Sequence, residues 1–238
     1  VATQITHAWQ SLSGIEDKML HFLENHDEQR IASDFFAENP WKILPALIVS
    51  ATLTKAPFML YAGQELGERG MDAEGFSGLD GRTTIFDYWG VATLQQWSNK
   101  GNFDGKQLTG DQQHLRKFYR RLLNLSLIEK AISRGVMYDL QYANFHHRTY
   151  CPDKQFTYFR KYEGELILIV VNFDESAVAI SLNVPIEALD YLQMESNVSY
   201  QYVDLLDEAY VGNFNFNAEN LIEISIPSLT GRILKLNL

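Results

Sequence analysis

The sequence predicts an α/β segment followed by an all-β segment, and three observations support this fold class. Before about residue 135 the hydrophobic periodicity is mostly helical, whereas after it the pattern is mostly that of strands. Two short apolar runs, 19–23 and 58–61, flank an apolar helical stretch, as in a βαβ unit. Strand-length runs separated by turn residues then fill the rest of the chain, as in an antiparallel β-sandwich.

The elements of the α/β segment follow in order from the apolar runs. The run 19–23 passes directly into the polar cluster 24–30, which indicates a buried parallel strand leading into a functional loop. Asn39 and Pro40 have the residue types preferred at the first positions of a helix, so an apolar helix is expected from there to about residue 54. The run 58–61 is the second buried strand.

The chain from residue 66 to the C terminus contains loops, one long helix and the strands. Residues 66–110 are rich in Gly, Asp, Asn and Ser, which predicts long loops with little regular structure. Helical periodicity returns over 111–131, and Gly135 is expected to stop that helix. The predicted strands are 136–145, 155–162, 165–173, 177–184, 198–206, 221–226 and 232–237.

Composition excludes several classes of protein. The chain has 238 residues and a net charge of −10, which disfavours binding to nucleic acid. No apolar run approaches the roughly 20 residues that span a bilayer, so no membrane span is expected. Cys151 is the single cysteine, so no internal disulfide is possible and the cellular compartment stays open.

The polar cluster 24–30 is the densest candidate site, and it allows several interpretations. His26 and Asp27 at the end of a strand could hold a sugar, a metal ion or a water molecule. Glu24, His26 and Glu28 alternate along an extended chain, so they could share one face and bind a metal. A solvated loop with a helix cap is the simplest alternative.

A family resemblance favours the sugar interpretation. Residues 22–27, Phe-Leu-Glu-Asn-His-Asp, resemble the fourth signature region of the α-amylase superfamily (glycoside hydrolase family 13), Phe-x-x-Asn-His-Asp. The family's next strand ends in Pro-x-x-Tyr-x-Gly-x-Glu, which is matched here by Pro57, Tyr61, Gly63 and Glu65. Residues 115–123 resemble the last barrel helix of the family, and the strand-rich tail resembles its C-terminal β-sandwich.

This resemblance implies a fold and an activity. Residues 1–132 would be the last two βα units of a catalytic (β/α)8 TIM barrel, and residues 133–238 a C-terminal β-sandwich domain. The implied partners are an α-1,4-glucan such as starch or maltodextrin and the missing N-terminal part of the barrel. No cofactor is expected in this chain, although calcium is possible in the full-length protein through residues upstream.

The resemblance also implies roles for residues of the polar cluster. Asp27 matches the third invariant carboxylate, which stabilises the transition state by accepting hydrogen bonds from sugar hydroxyls. His26 would donate a hydrogen bond to the same sugar ring. Asn25 is expected to shape the loop that carries these two side chains.

Two arginines are further candidates for substrate binding. Arg30 could contact a neighbouring subsite, or it could pair with Glu28 or Asp34. Arg82 matches the arginine of the family's Arg-x-Pro-Met-x-Trp stretch, and Trp89 could lie near the substrate cleft with it. The stretch is longer here and lacks the proline, so a packing anchor for a long loop is an equal alternative.

One departure from the family pattern limits the predicted activity. Retaining hydrolysis needs a nucleophilic carboxylate and a general acid, and the nucleophile's Gly-x-Arg-x-Asp motif does not occur in the sequence. The chain by itself is therefore predicted to be inactive, and hydrolysis is not distinguished from transglycosylation. The alternatives are a catalytically silent member of the superfamily and a carbohydrate-binding module in the β-sandwich.

Overall fold

The computed structural model describes residues 2–72, 79–86, 90–217 and 220–237. The chain divides into two compact units, which we describe separately. The sheet unit consists of Val1–Met19, Leu44–Ala56 and Asn124–Leu238, and the loop unit consists of Leu20–Ile43 and Pro57–Leu123. These units do not follow a single cut in the sequence, and the predicted domain boundary between residues 132 and 133 stays a prediction.

Helices and strands alternate in the N-terminal part, and strands dominate the C-terminal part. The described α-helices are α1 (Thr3–Ser11), α2 (Leu44–Thr52), α3 (Ala92–Ser98), α4 (Gly110–Ile128), α5 (Lys130–Ser133), α6 (Gln141–Asn144) and α7 (Ile186–Tyr191). The described strands are β1 (His21–Phe22), β2 (Phe58–Met59), β3 (Val136–Asp139), β4 (Gln155–Tyr162), β5 (Glu165–Asn172), β6 (Val178–Leu182), β7 (Ser199–Asp204), β8 (Val211–Asn215), β9 (Ile222–Ile226) and β10 (Thr230–Asn237).

The sheet unit contains two antiparallel sheets. The larger has six strands in the order β3-β4-β5-β10-β7-β8, and the smaller pairs β6 with β9. Each of the seven predicted C-terminal strands corresponds to an observed one. Strand β8 was not predicted, because its sequence Val-Gly-Asn-Phe-Asn contains three residues of low β propensity. Pairing with β7 holds it in place, with Gly212 opposite Tyr202 and the Tyr202 and Phe214 rings stacked 4.3 Å apart.

The first predicted strand of the tail, 136–145, is too long. Strand β3 stops at Asp139, whose Oδ1 accepts a hydrogen bond of 2.7 Å from the Gln141 amide and so begins a turn. Helix α6 follows, and the Asn144 side chain donates to the Leu140 carbonyl at 2.9 Å. These two side-chain bonds satisfy the Gln141 amide and the Leu140 carbonyl, which in a longer strand would have bonded to the neighbouring strand.

The strands β4, β5 and β10 of the six-stranded sheet are buried on both faces over most of their length. On one face Leu168 and Val170 of β5 join an apolar cluster that includes residues of β6, β9 and α7. On the other face Gly231 of β10 lies so close to α2 that an added Cβ would be 3.2 Å from Ile48 Cδ1. A strand buried on both faces has a continuous apolar sequence, which explains why residues 166–171 are all hydrophobic.

A buried hydroxyl pair links α2 to the sheet and carries a prediction. The Thr52 hydroxyl donates to the Ile48 carbonyl at 2.6 Å, so the Tyr158 hydroxyl is the donor in its 2.6 Å bond to Thr52. We expect Tyr158→Phe to lower the free energy of unfolding by about 1 kcal/mol, measured by urea denaturation. Tyr142→Phe is the control, because the Tyr142 hydroxyl bonds that of Tyr138 at an exposed position. Equal effects of the two substitutions would contradict the role of burial.

The loop unit contains the predicted parallel strand pair. Strands β1 and β2 are parallel, with His21 opposite Phe58 and Phe22 opposite Met59. The prediction that β1 is buried is wrong, because the Leu20 and Phe22 side chains are 51% and 44% exposed. The physical reason is that this sheet has two strands in the described part of the chain, so its side chains meet few neighbours.

The prediction that the second strand is buried is also wrong, because both residues of β2 are only half-buried. The predicted helix and loop segments agree with the structure in outline. A short 3-10 turn, Pro40–Ile43, leads into α2, and Asn39 Oδ1 accepts from the Trp41 amide as expected of a capping residue. Over the residues of 66–110 that the structure describes, the chain is mostly loop but also contains α3. Among the described residues, no helix combines the length and apolar content needed to cross a membrane.

Candidate functional site

The candidate site lies where the chain leaves the parallel strands of the loop unit. Because β1 and β2 run in the same direction, the loops that follow them start at the same edge of the sheet. The loop after β1 carries the Asn25-His26-Asp27 sequence, and the segment after β2 carries Tyr61 and Arg82. The α/β proteins usually bind ligands in a crevice just beyond the carboxyl ends of their parallel strands.

Asn25 shapes the loop that presents the two predicted catalytic-site side chains. Its Oδ1 accepts hydrogen bonds from the amides of Asp27 at 2.8 Å and Glu28 at 3.0 Å. Such a side-chain bond replaces a backbone bond and produces a tight turn. The structure therefore agrees with the expectation that Asn25 is a loop-shaping residue.

The turn brings His26 and Asp27 together at the surface. Their side chains are 44% and 73% exposed, and His26 Nε2 lies 3.5 Å from Asp27 Oδ1. The carboxylate can accept hydrogen bonds from hydroxyl groups, and the imidazole can donate or accept one. The pair is thus open to a polyhydroxylated ligand, while its role in catalysis stays a prediction.

Arg30 has a different setting from the one predicted. The residue is 1% exposed, and its Nη1 lies 2.7 Å from Glu24 Oε2. The predicted alternative of pairing with Glu28 or Asp34 is wrong, because the loop turns Arg30 inward onto Glu24 while Asp34 pairs with Arg69. In this structure Arg30 presents no open donor at the surface, and its assignment to substrate binding stays a prediction.

Glu24 is the buried partner, and both of its carboxylate oxygens accept hydrogen bonds. Oε1 accepts from the Ile31 amide at 2.7 Å and Oε2 from Arg30. Burial raises the pKa of the Glu24 carboxyl above its usual value, with a contribution from the neighbouring Glu68, although Arg30 and the Ile31 amide oppose the shift. The 2.7 Å distance between Glu24 Oε2 and Arg30 Nη1 is that of an ion pair. The arginine supplies its positive charge at all ordinary pH values.

The metal interpretation of this cluster is not supported. Glu24 points into the protein with both oxygens engaged, so it does not share a surface with His26 and Glu28. Within the described ranges, no group of three or more His, Cys, Asp or Glu side chains is placed to hold a metal ion. Calcium binding by a longer protein stays a prediction.

Arg82 lies in the segment that follows β2. Its backbone amide donates to Asp80 Oδ1 at 3.1 Å, and its guanidinium lies 3.7 Å from Asp80 Oδ2. The side chain is about one third exposed, so it is accessible to a ligand in part. Trp89, the other residue predicted for this region, lies outside the described residues.

Tyr61 and Glu65, which match the family pattern after β2, stabilise the loop that contains them. The Tyr61 ring lies under the Arg30 guanidinium, 4.1 Å from ring centroid to Cζ, and its hydroxyl donates to the Thr83 carbonyl at 3.2 Å. Glu65 Oε2 accepts from the Gly63 amide at 3.2 Å, so this side chain braces the loop in which it lies.

Sequence reasoning missed three buried polar residues of the site: Glu24 as an ion-pair partner, Glu68 and Thr83. Glu68 is 2% exposed and accepts hydrogen bonds from the Gly70 amide and the Thr93 hydroxyl. Thr83 accepts a bond of 3.0 Å from Arg30 Nε. Arg30 lies 6 positions from Glu24 and 53 positions from Thr83, and Thr93 lies 25 positions from Glu68. No periodic pattern in the sequence connects residues at such separations.

Comparisons with known proteins identify the fold. No protein-family model and no curated protein matches the sequence. Solved structures do match. AmyB, a noncanonic maltogenic α-amylase from Thermotoga neapolitana, superposes with a TM-score of 0.61 and 15% identity over 100% of this chain and 48% of that chain. The α-amylase GTA from Geobacillus thermoleovorans, solved with acarbose, gives 0.64 and 17% over 98% and 43%.

A third solved structure shows the same relation. AmyP in complex with maltose gives a TM-score of 0.62 and 19% identity over 98% of this chain and 43% of that chain. The chain thus spans less than half the length of each of these three proteins. The similarity shows that the chain has the fold of the C-terminal region of α-amylases.

Proposed function

Because the chain has the fold of the C-terminal region of α-amylases, we propose that it is the C-terminal portion of a retaining glycosidase that acts on α-1,4-glucans. In this proposal residues 1–132 contribute the last two βα units of a (β/α)8 barrel, and residues 133–238 form a β-sandwich domain. The glucan is starch or maltodextrin, and the rest of the barrel comes from another part of the protein.

The exposed Asn25-His26-Asp27 turn is the observation that carries the proposal. It follows a parallel strand directly, at the sheet edge where a barrel enzyme binds substrate. The carboxylate of Asp27 would accept hydrogen bonds from two hydroxyls of the reacting sugar. Its charge would also favour the oxocarbenium-like transition state, in which the ring becomes positive. His26 would donate to the same ring.

The chemistry of bond cleavage requires two groups that this chain does not supply. A retaining glycosidase uses a nucleophilic carboxylate and a general acid about 5–5.5 Å apart. In the proposal both belong to the part of the barrel outside residues 1–238. The isolated chain is therefore expected to bind or position substrate without cleaving it.

Exposed apolar side chains of the loop unit support a larger barrel. Leu20, Phe22, Phe35 and Phe36 are all large apolar side chains exposed in the loop unit, the last two at 59% and 66%. Parallel strands are normally covered on both faces. Further strands and helices of the same protein would cover these side chains and complete the sheet.

The substrate class is supported by the solved relatives and by the charge of the chain. Two of the matching structures, GTA and AmyP, were solved with acarbose and with maltose, respectively. A neutral glucan is also compatible with a chain of net charge −10, whereas a polyanion would be repelled.

The test is an assay of the complete protein, as its source cell makes it, on maltodextrin. We expect release of α-configured reducing ends, detected by proton NMR during the first turnovers. The chain of residues 1–238 alone is the control and is expected to give no rate above background. A complete protein that binds but does not cleave α-1,4-glucans would instead support a catalytically silent role.

A further inference from the structure

A short loop of the loop unit is closed at its base by buried charges. Glu24 and Arg30 lie at the two ends of the segment that carries His26 and Asp27, and they are 2% and 1% exposed. Glu24 Oε2 and Arg30 Nη1 are 2.7 Å apart, and Glu24 Oε1 accepts from the Ile31 amide at 2.7 Å. The tip of the loop is open to solvent, whereas its two ends are fixed to each other.

Arg30 also fixes this loop to the segment that follows β2. Its Nη2 donates to the Ala62 carbonyl at 2.6 Å, and its Nε donates to Thr83 Oγ1 at 3.0 Å. The Arg30 amide donates to the Gly81 carbonyl at 2.6 Å. Every N–H-bearing nitrogen of the guanidinium thus has an acceptor, and the acceptors come from two loops that follow adjacent strands.

A glycine pair makes this connection possible. Gly70 and Gly81 both have positive φ, and the Gly81 amide donates to the Gly70 carbonyl at 3.1 Å. A Cβ on Gly70 would lie 2.6 Å from the Gly81 carbonyl carbon, so no other residue fits there without moving the backbone. The close contact fixes Gly81, whose oxygen receives the Arg30 amide.

Stability alone is a weak reason for such an ion pair. Taking two charges out of water costs several kcal/mol, so well-packed apolar residues in the same place are often as stabilising or more so. What an ion pair with directed hydrogen bonds adds is a defined geometry. Here that geometry determines where an otherwise exposed loop holds its carboxylate.

From this arrangement we infer that Glu24 and Arg30 are positioning residues, which hold His26 and Asp27 in one conformation without touching substrate. The inference rests on the proposed function for its catalytic consequence. Arg30 then acts on catalysis indirectly, instead of through the direct contact with substrate that was predicted from the sequence. Since a displacement of about 1 Å in a reacting group can lower a rate by about 100-fold, the loop's two ends control the efficiency of Asp27.

The test compares Glu24→Gln and Arg30→Gln in the complete protein. We expect each to lower kcat on a maltooligosaccharide by about 10- to 100-fold, with KM within about threefold of the wild-type value. Amide hydrogen exchange supplies a second measurement that needs no substrate. The peptide containing Ile31 should exchange about tenfold faster in both variants, while a peptide from β5 should not change.

Asp34→Asn is the matched control. It breaks the exposed pair of Asp34 with Arg69 in the same loop unit, so neither kcat nor exchange at Ile31 should change. If the two buried variants do not fold, Thr83→Val replaces them, because it removes only the hydroxyl that accepts from Arg30 Nε.

The outcomes separate this inference from the proposed function. A wild-type protein without activity on glucans would overturn the proposed function, and the exchange measurement would still decide whether the pair fixes the loop. Unchanged exchange at Ile31 would overturn the inference, and so would faster exchange with unchanged kcat. An increase in KM for Arg30→Gln with constant kcat would assign Arg30 to substrate binding instead.

Discussion

Asp27→Asn in the complete protein is expected to lower kcat on α-1,4-glucans by roughly 10²- to 10³-fold, with a smaller change in KM. The substitution preserves the shape of the side chain and the turn around Asn25, whose Oδ1 bonds the amide of residue 27 rather than its side chain. In the proposed role of Asp27, the substitution removes the negative charge that would accept hydrogen bonds from sugar hydroxyls and would stabilise the positive charge of the transition state.

The control for this prediction is Glu28→Gln. Glu28 is the next exposed carboxylate of the same loop, and its amide is held by the same Asn25 oxygen. A general effect of loop charge would lower kcat equally in both variants and would contradict a specific role for Asp27. Steady-state kinetics on a maltooligosaccharide of defined length measures both parameters.

Arg160→Met is expected to lower the free energy of unfolding of the chain by about 3–5 kcal/mol. Arg160 is 2% exposed, and its guanidinium donates to four main-chain carbonyls. These are Leu53 at 2.7 Å, Ala131 at 3.1 Å, Ile132 at 2.6 Å and Gly135 at 2.9 Å. A methionine of similar length would leave all four oxygens buried without a donor, which is among the most costly changes in a protein interior.

The charge of Arg160 persists at neutral pH. Burial lowers its pKa to about 10, with Tyr158 and Asp17 opposing the shift, so the cation is still the dominant form at pH 7. Arg148→Met is the control, because Arg148 is exposed, and it should change the free energy of unfolding by less than about 0.5 kcal/mol. Urea denaturation followed by far-ultraviolet circular dichroism provides both values, and a loss below about 1 kcal/mol for Arg160→Met would refute the prediction.

The helix end near residue 135 was only partly predictable. Gly135 was expected to stop the helix predicted over 111–131, but that helix ends at Ile128, and a separate short helix, α5, then ends at Ser133. The structure gives the glycine a further reason: a Cβ there would lie 2.2 Å from the Ala131 carbonyl oxygen and 2.4 Å from that of Lys161. Close approach of two backbone segments cannot be read from a single segment of sequence.

The strands of the C-terminal part could be predicted because each carries its own pattern of apolar residues. The run 165–172 identified β5, and the alternation in 222–226 identified β9. Strand β8 lacks such a pattern, since its position depends on pairing with β7. The βαβ order and the parallel pair of β1 and β2 were predicted from the same kind of local signal.

The candidate site was predictable to a different degree. A short contiguous signature was enough to select His26 and Asp27, which the structure places side by side. The environment of Arg30 was not predictable, because its acceptors Glu24, Ala62 and Thr83 are brought together only by the parallel strand pair and the loops after it. Burial depends on tertiary contacts that a local motif does not encode.

The sheet unit is assembled from separate segments of the chain, and this affects any truncation of the protein. Helix α2 packs against β5 and β10 of the six-stranded sheet, and Leu47 and Ile48 on it are completely buried. A shortened chain starting at residue 133 would lack α2, and Arg160 would lose its acceptor at Leu53. We therefore expect a chain of residues 133–238 alone to be less stable than one that also carries 44–56. A more stable version would keep 44–56 joined to it, for example through a linker or a circular permutation.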